Sequence, residues 1–148
     1  MTWDHVMIQN ANSALKALES IKLMVVEDDF IIAFDLCDSM ERLGANVVGP
    51  ASSVATALAM IEENPPEVAL LDIDLGKEKV WPVADVLVER RIPFVFVSGQ
   101  VCLKSAVPDR FDAALRICKP ADLSALLILV NQSLETGSNY IRSVNASA

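Results

Sequence analysis

The sequence predicts an α/β domain: a doubly wound, five-stranded parallel sheet of order 2-1-3-4-5. Two observations carry the class. Apolar strand-like runs alternate with helix-period segments five times along the chain. Hydrophobic residues make up 53% of the 148, and the mean hydropathy is positive, as suits a parallel sheet covered on both faces. Short connections and right-handed crossovers then favour the 2-1-3-4-5 order.

Residues 1–20 are expected to form an extension. Val6, Met7, Ala11, Ala14, Leu15 and Leu18 have roughly helical spacing, which fits a frayed segment or a helix docking on this domain or on a second copy. The domain proper is placed at 21–136. Ile21-Lys-Leu-Met-Val-Val26 is the first strand and stops in Glu27-Asp28-Asp29. A helix follows, with Ile32, Leu36, Met40 and Leu43 on one side, its acidic N-terminus matched to the macrodipole and its end marked by Gly44. Asn46–Gly49 is a short second strand. Ser52 or Ser53 caps a helix that buries Val54, Ala57, Leu58 and Ile61 and closes at Pro65-Pro66.

Val68-Ala-Leu-Leu71 reads as a fully buried third strand running into Asp72, with a loop from Gly76 to Trp81. Pro82 suits the first turn of the third helix. Phe94-Val-Phe-Val97 is the fourth strand and stops at Ser98-Gly99. Between Gln100 and Phe111 the apolar period is weak and Pro108 interrupts it, so any helix there is short. A fifth strand ends at Cys118-Lys119-Pro120. In the last helix Leu123, Leu126, Leu127, Val130 and Leu134 recur at i, i+3, i+4, i+7 and i+11. Gly137 is read as its end, leaving 137–148 as a flexible tail.

The bulk numbers narrow the function. A net charge of −8 argues against a nucleic-acid surface. No apolar stretch approaches a membrane span, and no signal peptide is visible. Cys37, Cys102 and Cys118 show no metal-binding spacing, so the chain is expected in a reduced, cytoplasmic setting. His5 is the single histidine and lies outside every pattern, which removes Ser-His-Asp and Cys-His catalysis.

Each strand end carries a chemical group. The first ends in Glu27 and Asp28, the third in Asp72, the fourth in Ser98 and the fifth in Lys119. Singly these are caps, a turn serine and a surface lysine. In a 2-1-3-4-5 sheet their carboxyl ends converge on one crevice beside the topological switch point. Adjacent carboxylates there repel and either take up a proton or bind a cation. Their hard oxygen ligands suit Mg2+. Beside such an ion Asp72 is placed as a carboxylate nucleophile toward a phosphoryl group, with Ser98 and Lys119 holding the phosphoryl oxygens.

Val-Val-Glu27-Asp28, Leu-Leu-Asp72, Val-Ser98-Gly99 and Cys-Lys119-Pro120, on successive strands, resemble the CheY-like receiver domain of two-component response regulators. The resemblance covers about residues 22–135. It implies that Asp72 is the phosphoacceptor, and that Glu27 and Asp28 bind Mg2+ with Asp72 and the backbone carbonyl of Asp74. It further implies that Ser98 and Lys119 sense the phosphoryl group and that Lys119-Pro120 is a cis peptide. The implied donor is a histidine kinase or a histidine phosphotransfer protein. Pro93-Phe-Val-Phe-Val-Ser-Gly-Gln100 is similar to the fourth strand of alphaproteobacterial stress-response receivers.

The sequence departs from the family at Arg116, where an aromatic switch residue usually stands three positions before the lysine, and at Asp74, an acid two residues beyond the acceptor. No output domain is visible after the last helix, so a stand-alone receiver is expected, as a monomer or weak homodimer, with the last helix and the loop before it as its partner face. Two other functions compete. Asp72-Ile-Asp74 also resembles the nucleophile motif of haloacid-dehalogenase-type phosphatases, although there the acidic metal pair follows the lysine. A pseudo-receiver that only binds a partner would keep the fold without phosphorylation.

Overall fold

The computed structural model describes residues 18–99, 107–119 and 121–147, with side chains to Thr136. Its strands are β1 (Lys22–Val26), β2 (Asn46–Ala51), β3 (Val68–Leu71), β4 (Asp74–Leu75), β5 (Glu78–Lys79), β6 (Phe94–Ser98) and β7 (Leu115–Cys118). Its helices are α1 (Phe30–Arg42), α2 (Val54–Glu63), α3 (Trp81–Glu89) and α4 (Leu123–Ser147). Five strands form one sheet in the order β2-β1-β3-β6-β7, and every pairing in it is parallel. Leaving aside the two-residue strands β4 and β5, this is the 2-1-3-4-5 order the sequence predicts.

The period of 2 along each strand divides the core. Met24, Val26, Ala69, Leu71, Phe94 and Phe96 face α2 and α3 in one buried cluster. Leu23, Val25, Val68, Leu70, Val95 and Val97 face α1 and α4 in the other. Both faces of the central strands are therefore covered, which is why β3 and β6 are apolar at nearly every position.

Helix starts follow local chemistry. The Asp29 carboxylate accepts from the Ile31 and Ile32 amides at 3.0 and 3.1 Å, capping α1. Ser53 Oγ accepts from the Thr56 amide at 3.2 Å, capping α2. Pro82 sits in the first turn of α3. In β2 the Gly49-Pro50 peptide is cis and Gly49 has φ +106°. A Cβ at Gly49 would meet the Val25 carbonyl oxygen at 2.8 Å, so only glycine lets β2 pass this close to β1. The pairing register shifts at this point, and the Ala51 carbonyl then accepts the Glu27 amide at 2.9 Å.

Three differences from expectation stand out. The loop after Asp72 contains a hairpin: β4 and β5 pair antiparallel, Asp74 with Lys79 and Leu75 with Glu78. Gly76, with φ +66°, opens its two-residue turn, the conformation that primed turns need. α4 runs through Gly137 to Ser147, where a flexible tail is expected. A glycine costs only about 1 kcal/mol inside a helix, and no proline follows it to break the ladder. Cys118 is disulfide-bonded while Cys37 is free and buried; scattered positions in sequence do not prevent closeness in space. The segment before β7 holds a single 3-10 turn at Asp109–Phe111, consistent with the weak period there. Residues 100–106, Pro120 with the expected cis peptide before it, and most of the N-terminal extension lie outside the described residues.

Candidate functional site

The sheet brings the predicted groups together at its carboxyl edge. Glu27 follows β1 and Asp72 follows β3, and the two strands are in direct register, Val26 opposite Leu71. The Asp72 amide donates to the Val26 carbonyl at 2.9 Å, extending the ladder to the acceptor residue. One carboxylate oxygen each of Glu27, Asp28 and Asp72 lies within 4.8 Å of the others. Glu27 is 3% exposed and Asp72 8%; Asp28 is exposed. At this spacing the mutual repulsion is worth about 1 kcal/mol per pair even in water and more when buried.

Lys119, just after β7, supplies the counter-charge. Its ammonium donates to Glu27 Oε1 and stands 3.3 Å from Asp72 Oδ2. Burial by itself lowers the lysine pKa, but the two carboxylates outweigh it and the net shift is upward. Glu27 is pushed up to about 7, first by burial and then by the hydrogen bond and charge of Asp72, with Lys119 pulling the other way. Its second oxygen, Oε2, is buried without a hydrogen-bond partner. Three converging hard oxygens with one orphaned lone-pair site fit a small divalent cation such as Mg2+.

Ser98 ends β6, is 2% exposed, and its carbonyl accepts the Lys119 amide at 3.2 Å. Ser98 is in register with Cys118, so hydroxyl and ammonium arrive on adjacent strand ends. Asp74 is placed differently. It lies on β4, and its carboxylate pairs with Lys79 across the hairpin; it is not one of the three clustered acids.

Several contacting groups were not singled out from sequence. The Gly76 amide donates to Asp28 Oδ2 at 2.8 Å. Glu78 Oε2 accepts the Val54 amide at 3.1 Å, so the hairpin grips both the acid cluster and the start of α2. The turn pair Gly76-Lys77 was the available signal for this hairpin. Arg116 directs its guanidinium to the carbonyls of Phe111, Asp112 and Ala114 at 3.2, 2.8 and 3.3 Å. Phe111, Trp81, Phe94 and Phe96 form a ring cluster behind it, with Trp81 and Phe111 stacked at 5.8 Å.

No family model matches the chain. Individual relatives do. The phyllosphere-induced regulator PhyR of Methylorubrum extorquens is 28% identical over 137 residues, covering 86% of this chain and 49% of that protein. The chain thus spans about half the length of this curated relative. The solution structure of SdrG from Sphingomonas melonis Fr1 has 36% identity and a TM-score of 0.67, covering 80% of this chain and 98% of that one. The receiver domain of the Erythrobacter litoralis PhyR response regulator has 25% identity and a TM-score of 0.70, covering 80% and 93%. No helix among the described residues is long and apolar enough to cross a membrane.

Proposed function

Because the chain belongs to the receiver-domain family of response regulators and resembles the stress-response regulators among them, we propose that Asp72 accepts a phosphoryl group from a phosphohistidine. The donor is a histidine kinase or a histidine phosphotransfer protein. The observation that carries the reading is the placement of Asp72, buried at a strand end between two further carboxylates and the Lys119 ammonium.

An Asp72 oxygen bonds to phosphorus as the donor N–P bond breaks, and the imidazole leaves with that electron pair. Lys119, held 3.3 Å from Asp72, then follows the charge onto the phosphoryl oxygens. Ser98 supplies a hydroxyl donor from the adjacent strand. Glu27, Asp28, Asp72 and the Asp74 carbonyl would hold Mg2+, which neutralises the acids and attracts phosphoryl oxygens. Phe30, Ile31 and Phe34, exposed by 79, 78 and 66% on the first turns of α1, offer the donor an apolar contact beside the acceptor. The phosphorylated domain switches a protein-contacting surface in the cytoplasm, and its own chemistry is confined to gaining and losing the phosphoryl group.

Beryllofluoride with Mg2+ tests this, since it imitates an aspartyl phosphate. It should change Trp81 fluorescence in the intact chain and leave Asp72→Asn unmoved. No change in either would favour the plain interaction module, and steady multiple turnover of p-nitrophenyl phosphate would favour the phosphatase.

A further inference from the structure

The β4–β5 hairpin meets the acid cluster through a single backbone amide. Leu75 pairs with Glu78, so the turn is Gly76-Lys77 and the Gly76 amide stands outside the short ladder. That amide donates instead to Asp28 Oδ2 at 2.8 Å. Asp28 is the exposed member of the three clustered acids, and an exposed side chain left to itself samples several rotamers. A carboxylate offers about four lone-pair sites. One bond from Gly76 therefore fixes the direction of Asp28 and still leaves oxygen for a cation. Gly76 has φ +66°, and a Cβ there would meet nothing within 4 Å. The position demands a backbone conformation, the one that aims the amide, rather than room.

The hairpin is itself held from several sides. Ile73, Leu75 and Val80 are buried in the apolar cluster that also contains residues of α2 and α3. The Val80 amide donates to the Ile73 carbonyl at 2.9 Å, closing the base of the hairpin. Lys79 pairs with Asp74 across it. Glu78 Oε2 accepts the Val54 amide at 3.1 Å, a part-buried contact that ties β5 to the first residue of α2. A path of bonds thus runs from Asp28 through the turn to Glu78 and on to α2. The apolar seat resists sliding of the hairpin, and the Glu78 bond fixes its level against the helix.

We propose that the β4–β5 hairpin is the positioning element of the cation site: the Gly76 amide sets Asp28 in its ligating direction, and Glu78 holds the turn in place from α2. This rests on the cation reading of the acid cluster and needs no phosphoryl chemistry. Groups that orient a metal's ligands govern affinity without touching the ion, and losing one costs roughly tenfold or more. The coupling is reciprocal by linkage: a cation that favours the seated hairpin also holds the start of α2 closed.

Mg2+ titrations of the full chain, read from amide chemical shifts, test both contacts. Gly76→Val keeps the amide but a β-branched residue resists positive φ, so Mg2+ binding should weaken by roughly tenfold. Gly76→Asn tolerates that conformation and should bind as the intact chain does. Glu78→Ala should weaken binding several-fold, and Glu78→Gln, which still accepts the Val54 amide, should restore it. Ser53→Ala removes the cap on Thr56 at the same helix end without touching the hairpin, and should leave Mg2+ affinity unchanged. Unchanged affinity in Gly76→Val overturns the positioning role while leaving the cation site. An equal loss in Ser53→Ala and Glu78→Ala assigns the effect to helix fraying and overturns the anchor. Saturating Mg2+ should slow hydrogen exchange at Gly76 and Val54 in the intact chain, and at Gly76 alone in Glu78→Ala. Exchange at Val54 that ignores Mg2+ in the intact chain overturns the coupling. An intact chain that binds no Mg2+ overturns the cation reading, and the proposal with it.

Discussion

The Lys119 ammonium is shared between two carboxylates that belong to different strands, bonding Glu27 Oε1 and standing 3.3 Å from Asp72 Oδ2. It is the cation among the described residues that makes a cluster of buried acids tolerable. Removing one partner of a buried ion pair leaves the other uncompensated, at roughly 3–5 kcal/mol when burial is complete. The Lys119 side chain keeps 23% exposure, so Lys119→Met should cost somewhat less, about 2–3 kcal/mol at pH 8. At pH 5.5, where Glu27 is protonated, the loss should shrink by at least half. Urea unfolding at the two pH values measures both.

Glu27 predicts a second pH dependence. Its carboxyl is raised from 4.5 to about 7, by burial first and Asp72 next, so the folded chain binds that proton more tightly than the unfolded chain. The resulting stabilisation is complete below about pH 4.5 and disappears as pH rises through about 7. Relative to Glu27→Gln, the intact protein should lose up to about 3 kcal/mol across that window in metal-free buffer. The same proton competes with a cation, so apparent Mg2+ affinity should rise between pH 6 and pH 8. A flat titration in both assays would remove Glu27 from the cation site.

The hairpin makes a prediction at a distance from the acids. Glu78 reaches from β5 to the first amide of α2, where a carboxylate meets both an unpaired N–H and the positive end of the helix dipole. Glu78→Ala should destabilise the protein by about 0.5–1 kcal/mol and speed hydrogen exchange at Val54. The Ser53 cap on Thr56 should keep exchange at Thr56 unchanged.

Arg116 holds three carbonyls of the segment that carries Phe111. Arg116→Met leaves those carbonyls with fewer donors and should cost about 1–3 kcal/mol. Arg116→Phe should cost as much, because a ring restores none of the three bonds. Both should shift Trp81 emission, since Phe111 stacks on that indole.

What was legible in the sequence is what a strand end announces. Glu27, Asp28, Asp72 and Lys119 each follow an apolar run abruptly, and the order of the sheet turns four separate strand ends into one crevice. Their mutual placement needs only the register of β1 with β3 and of β6 with β7. The hairpin escaped because two-residue strands show no alternation and Gly76-Lys77 resembles any polar turn. The span of α4 is hidden because Gly137 reads as a stop, although a glycine only weakens a helix. The Trp81–Phe96–Phe111 cluster joins residues from three separate elements, and no local pattern encodes that meeting. The Lys79 partner of Asp74 depends on the hairpin and was hidden with it.

Arg116 also changes how a signal could cross the domain. The resemblance in sequence implies an aromatic switch residue at this position. Here the side chain is moored by three carbonyls of one loop, so it behaves as a rivet rather than a rotor. Any displacement of Ser98 would then reach β7 through the main chain itself, because the Ser98 carbonyl accepts the Lys119 amide. The two strand ends would move as one unit rather than through a swinging side chain.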